Sequence, residues 1–128
     1  PKRIIYATDF HNAELNHINE LVSVAEVFEA ELMISHITTD AEALQSEEML
    51  KRNFAGRVRK ITDYSSITYF VKYEEHISRA LESLATQVDA DWIALMTRNR
   101  TMFEKLYNPS LTKELAYQTK IPLLAIKN

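Results

Sequence analysis

Arg98 and Arg100 stand two positions apart after the apolar run Trp92-Ile93-Ala94-Leu95-Met96, and Ser110 follows Asn108-Pro109 at what reads as a helix start. Guanidinium groups match phosphate and carboxylate oxygens bidentately, and a hydroxyl at a helix start adds to N–H groups that have no partner inside the helix. The chemistry these residues offer is anion binding, with phosphate the natural ligand. A second reading stays open beside it: a solvated basic loop, its arginines paired with Glu104 or with another chain. Asp9, next to Thr8 at the end of the first apolar run, has the same double character, because aspartate after a strand often serves only to cap the following turn.

Other chemistries find little support. His11, His17, His36 and His76 show no HExxH or equivalent spacing, and the chain has no cysteine to complete a mixed site, so no metal is expected. His36, inside an apolar strand pattern, reads as a hydrogen-bonded core residue more readily than as a general base. Ser35 beside it lacks the glycines of a nucleophile elbow. With no triad and no activated nucleophile, no catalytic residue is assigned and the protein is not expected to be an enzyme. The single glycine, Gly56, falls inside a helical pattern, which excludes the glycine clusters of Walker and dinucleotide loops.

The 128 residues suit one domain, residues 1-128, large enough to bury roughly two thirds of the surface exposed by the unfolded chain. At 46% hydrophobic and 26% charged residues, the composition is that of an ordinary globular protein. A net charge of -3 with interleaved bases and acids implies no field for nucleic acid. No apolar run approaches ~18 residues and no basic-then-apolar leader precedes the first strand, so neither a membrane span nor a signal peptide is expected. The absence of cysteine fits a reducing compartment, and a cytoplasmic location is the expectation.

The elements that must position these residues follow from periodicity. Ile4-Ile5-Tyr6-Ala7 reads as a strand buried on both faces, followed by a helix capped by Asn12 with Leu15, Ile18, Leu21, Val22, Ala25 and Phe28 inward. Leu32 to Ile37 is a second, parallel strand. A helix from Asp40 to Ile61 turns Leu50, Phe54, Val58 and Ile61 inward, with Gly56 as a point where it can break. Ile67 to Tyr73 suits an edge strand. Glu74 and Glu75 then open a helix whose stripe is Ile77, Ala80, Leu81, Leu84, Ala85 and Val88. Trp92 to Met96 is the fourth strand, Asn108 caps a short helix with Leu111 and Leu115 inward, and Ile121 to Ile126 is a last strand at the sheet's other rim, entered through Pro122. The alternation βαβαβαβαβ demands an α/β fold, a three-layer arrangement with a parallel sheet and helices on both faces.

Several stretches together resemble the universal stress protein (UspA-like) family: Tyr6-Ala7-Thr8-Asp9-Phe10, Ser35-His36-Ile37, Ile121 to Ile126 and the loop after the fourth strand. The family's loop reads Gly-x2-Gly-x9-Gly-Ser/Thr; the same frame here is Met96-x2-Asn99-x9-Pro109-Ser110. The resemblance covers nearly the whole chain and implies five strands in the order 3-2-1-4-5, an adenine-nucleotide alpha-hydrolase-like fold. It also implies a nucleotide site at Ala7, Asp9, Met96, Asn99 and Ser110, with Ile37 a further candidate that reads more readily as core; Arg98 and Arg100 are added as stand-ins for the missing loop N–H donors. Only the hydroxyl of the loop frame survives. Met96 and Asn99 put side chains where main chain would approach ribose and phosphate, and Pro109 removes an N–H donor. The site is therefore expected to be vestigial.

The function so implied is that of a universal stress protein domain, a non-catalytic dimerising or regulatory module of stress adaptation with a degenerate ATP site and no cofactor. The alternative is an ATP- or AMP-binding domain with weak or no hydrolysis. An enzyme of the related adenylating type would need a Ser-Gly-Gly-x-Asp-Ser loop where Thr8-Asp9-Phe10-His11-Asn12 stands. An apolar edge strand must be covered, and the family commonly pairs its last strand antiparallel with a partner's, so Leu123, Leu124, Ala125 and Ile126 are the candidate contacts. Protection by a neighbouring helix is the competing account. The wording from Met102-Phe103-Glu104-Lys105-Leu106 to Ser110-Leu111-Thr112-Lys113 resembles the second half of tandem stress proteins. The partner is then a homodimer mate or a second universal stress domain in a pseudodimer, with neither nucleic acid nor membrane involved.

Overall fold

The computed structural model describes residues 1–8, 10, 12–96 and 121–126. Within them the strands are Arg3–Ala7 (β1), Glu31–Thr38 (β2), Ile67–Tyr73 (β3), Trp92–Met96 (β4) and Leu123–Ile126 (β5), and the α-helices are Ile18–Phe28 (α1), Leu44–Ile61 (α2) and Ile77–Val88 (α3). All strand pairs are parallel. The sheet runs β3-β2-β1-β4, and Leu123–Ile126 continues it beyond β4 through Ile93↔Leu123 to Met96↔Ile126.

Alternation along the strands divides the core into two layers. Ile4, Tyr6, Leu32, Ile34 and Ala94 face α1 and α2, where they meet Ile18, Leu21, Val22, Ala25, Phe54 and Val58. Ile5, Ala7, Met33, Ile37, Ile93 and Leu95 face α3, which supplies Ala80, Leu81, Leu84 and Ala85. Strands buried on both faces explain why β1 and β4 read as continuous apolar runs. Among the described residues no helix is long and apolar enough to cross a membrane.

Several expectations need correction. The first helix does not start as an α-helix at Asn12: Asn12–His17 is a 3-10 turn, and α1 starts at Ile18. Phe28 is 46% exposed and meets Trp92 edge-on at 5.4 Å instead of entering the core. Leu50 and Ile61 are likewise exposed, because α2 packs chiefly on the rim strand β3 and needs only the narrow stripe of Phe54, Ala55 and Val58. The helix is unbroken at Gly56. Asp40 caps only a short 3-10 turn, Ala41–Ala43, before α2. Glu74 and Glu75 precede α3; the Glu74 N–H instead bonds the Thr38 carbonyl and finishes the β2/β3 ladder. The inferred helix after Asn108, with Leu111 and Leu115, lies outside the described residues.

The shortage of glycine is met at two helix ends by ordinary residues. Glu29 (φ 52°) and Asp89 (φ 56°) occupy the left-handed region, and the next N–H groups, of Ala30 and Ala90, reach back to Ala25 and Ala85 carbonyls. This is the backbone pattern glycine usually provides. At the amino ends of the strands, Asp91 ties the sheet together: its carboxylate accepts the Lys2 N–H at 2.6 Å and the Arg3 N–H at 3.0 Å. Those two bonds, with smaller contributions from the terminal and Arg3 charges, outweigh desolvation and hold its pKa below the usual carboxylate value.

Candidate functional site

Strand order reverses between β1 and β4: the chain steps outward from β1 to β2 and β3, then crosses back to β4 on the other side of β1. In open parallel sheets, the crevice outside the carboxyl ends of strands at such a reversal is where ligands bind. Ala7 and Leu95 are the last register partners there, so the carboxyl ends of β1 and β4 lie side by side.

The turn after β1 is held from several directions. The Thr8 N–H donates to the Ser35 carbonyl at 2.9 Å, the Phe10 N–H donates to Thr8 Oγ1 at 3.0 Å, and His36 Nδ1 lies 2.6 Å from the Thr8 carbonyl oxygen. A carbonyl only accepts, so Nδ1 carries the proton. The other ring nitrogen, Nε2, faces Glu47 Oε2 of α2 at 3.4 Å, a contact that becomes an ion pair when the imidazole is protonated. Phe10 takes φ 61°, uncommon for a bulky side chain. Its ring compensates by burying to 5% exposure between His36 (centroids 5.5 Å apart) and Phe54 (5.6 Å). Thr8, Phe10, His36, Glu47 and Phe54 thus form one support beneath the crevice.

Of the residues named from sequence, Ala7 and Ile37 are buried members of the α3-side core, and Ile37 packs there as a core residue does. Met96 ends β4, its main chain in register with Ile126. Its side chain, together with Asp9, Arg98, Asn99, Arg100 and Ser110, lies outside the described residues, as does the suggested Arg98 or Arg100 pairing with Glu104. His36 is partly buried and hydrogen-bonded to the Thr8 carbonyl, and Ser35 is buried with its hydroxyl donating to the Met33 carbonyl. Sequence reasoning missed the support under the turn. Phe10 and Glu47 carry no local signal, since a positive φ and a His36–Glu47 contact across eleven positions appear only after folding. Among the described residues no group of three or more His, Cys, Asp or Glu is placed to hold a metal.

At the other candidate surface, Leu124 is 38% exposed and Ile126 half-buried, while the side chains of Leu123 and Ala125 lie outside what is described. Leu124 and Ile126 join Ile4, Leu21, Val24 and Trp92 in lining a groove of about 340 Å³ on the α1 side of β4 and β5. Among the described residues Glu20 is its one charged wall residue.

The same architecture recurs in solved structures. A universal stress protein in complex with cAMP superposes with a TM-score of 0.70 at 17% identity, covering 98% of this chain and 96% of that one. One from Archaeoglobus fulgidus in complex with dAMP gives 0.70 at 13% identity over 99% and 98%. A member from Burkholderia pseudomallei gives 0.65 at 14% identity over 98% and 95%. At such identities the likeness is one of fold. No curated protein sequence matches. The family model of universal stress proteins, however, matches residues 1–127, and the chain belongs to the universal stress protein family.

Proposed function

We propose that this domain is a non-catalytic, dimerising regulatory module of stress adaptation whose triphosphate site is degenerate. The observation that carries the reading is the placement of glycine. The one glycine stands inside α2, so none is available to the segment leaving β4 at the point of strand reversal, where a triphosphate needs bare main chain. Met96, Asn99 and Pro109 occupy the loop frame instead. Dimerisation is assigned to the C-terminal strand, with Leu123, Leu124, Ala125 and Ile126 as contacts in a homodimer or in a pseudodimer with a second universal stress domain. Exposed Leu124 and the apolar groove beside it support that assignment. One solved universal stress protein, of which this chain covers 44%, has length enough for a second such unit.

Native mass spectrometry of freshly purified protein tests both halves of the proposal. A dimer free of nucleotide is expected. ATP carried through purification, or calorimetric ATP binding near ~1 μM (about -8 kcal/mol), overturns the degenerate-site reading.

The second reading is a site retained for AMP or ATP, favoured by the cAMP and dAMP complexes of the structural neighbours. In it Asp9 and Ser110 keep their contacts, and Arg98 and Arg100 replace the missing main-chain donors. Calorimetry of AMP with both arginines changed to alanine decides it: unchanged affinity removes them from the site.

A further inference from the structure

α2 ends at Ile61, and Thr62 follows in an extended conformation (φ -143°, ψ 150°), its N–H closing the last helical turn on the Val58 carbonyl at 3.0 Å. Two further bonds fix the connection to β3: the Tyr64 N–H donates to Thr62 Oγ1 at 3.2 Å, and the Tyr64 hydroxyl donates to the Ala30 carbonyl at 2.6 Å. Just before β3, the Ser66 carbonyl accepts the Leu32 N–H at 2.9 Å. The connection is therefore held at both ends and in its middle.

A cleft of about 380 Å³ lies against this connection, at the amino end of β3 and so at the opposite end of the sheet from the crevice of strand reversal. Val58, Tyr64, Ile67 and Tyr69, which pack on the α1 and α2 side of the core, form its apolar wall. Among the described residues its charged lining is one guanidinium, Arg59, and one carboxylate, Asp63. Opposite charges four positions apart pair along a helix, but the extended backbone at Thr62 takes Asp63 off the helix first. Neither Arg59 nor Asp63 makes an ion pair among the described residues. Burial raises the Tyr69 phenol above its ordinary pKa, and the charge of Arg59 partly offsets this, so the guanidinium field reaches that hydroxyl. Glu31, on the neighbouring strand, is engaged by Arg3 at 3.6 Å and by the Thr68 hydroxyl at 3.4 Å. Thr68 alternates with Ile67 and Tyr69, so that contact belongs to the other face of the sheet.

Small molecules favour preformed clefts of this size with apolar walls, a few convergent polar groups and a perturbed titratable side chain. The two open charges decide which kind. A carboxylate suits the guanidinium of Arg59, while an ammonium suits Asp63 and the partial negative charge at the carboxyl end of an 18-residue helix. We propose that the cleft binds a free α-amino acid with an apolar side chain, its carboxylate on Arg59, its ammonium on Asp63 and its side chain against Val58, Ile67 and Tyr69. A ligand of single charge leaves one of the two groups unmatched. The proposal stands apart from the nucleotide site and from the C-terminal strand.

Calorimetric titration of the full chain with L-leucine and L-phenylalanine tests it, beside N-acetylphenylalanine, which has no ammonium, and phenylalaninamide, which has no carboxylate. Phenylalanine is expected to bind, and each singly charged analogue to bind at least about tenfold more weakly, the loss of one charge-assisted hydrogen bond. Arg59→Gln should weaken phenylalanine to the level of the amide while leaving the amide unchanged. Asp63→Asn should do the same toward the N-acetyl compound. Both side chains are exposed, so the melting temperature of each variant should hold. On the wild-type chain, independent of any variant, the NMR amide shifts caused by phenylalanine should gather in residues 58–69. Absence of binding by both amino acids, equal binding of phenylalanine and its two analogues, or discrimination unchanged in either variant overturns the proposal. So do amide shifts confined to another part of the chain.

Discussion

His36 Nδ1 and the carbonyl oxygen of Thr8 lie 2.6 Å apart, a bond from the second strand to the turn that leaves the first. It fixes the Thr8 carbonyl at the carboxyl end of β1. His36→Leu removes the donor while keeping an apolar side chain of similar reach. The expected result is a loss of about 1–3 kcal/mol in chemical denaturation and faster hydrogen exchange at the Phe10 amide, which bonds Thr8 Oγ1. Unchanged exchange at Phe10 would show that the turn holds without His36.

Phe54 carries the ring stack beneath that turn. It is 1% exposed, touches Phe10, and belongs to the core between α2 and the sheet. Phe54→Ala leaves a cavity under a strained residue and should cost about 3–5 kcal/mol by urea denaturation, whereas Phe54→Leu should cost clearly less. A loss below about 1 kcal/mol for the alanine variant would mean that Phe10 collapses into the space.

Gly56 has no positive φ, and a Cβ placed there meets only Arg59 Nη2, at 3.9 Å. Nothing in the fold requires glycine at this position of α2. Gly56→Ala is expected to raise stability by about 0.5–1 kcal/mol, seen as a higher melting temperature with no change in circular dichroism at low temperature.

The carboxyl of Asp91 has a lowered pKa because it accepts the Lys2 and Arg3 N–H groups. A carboxyl depressed in the folded state contributes stability above its unfolded pKa, and that contribution is lost as pH falls through the folded value. Asp91→Asn should therefore lower the melting temperature at neutral pH, and the gap from wild type should narrow as pH falls below the ordinary carboxylate range. A gap that stays constant with pH would show that Asp91 acts through packing alone.

The strands and most helices were legible because each uses one periodicity: Ile4 to Ala7 and Trp92 to Met96 as runs buried on both faces, and Ala80, Leu81, Leu84 and Ala85 as a helical stripe. Phe28, Leu50 and Ile61 misled because periodicity shows which side of a helix is apolar without showing how far the facing layer extends. For the candidate site the sequence carries an expectation, resting on the missing glycines and the Met96, Asn99 and Pro109 frame, since single residues decide local donors and steric access.

The α/β layering, the family frame and the lack of glycine in residues 97–110 are written along the chain, because they depend on neighbours in sequence. Packing alone fixes that Phe10 sits at a positive φ over Phe54 and that His36 bridges Thr8 and Glu47. Those relationships join residues far apart in sequence, and no local preference encodes them: burial and hydrogen bonding select them only when the strands and helices are packed together.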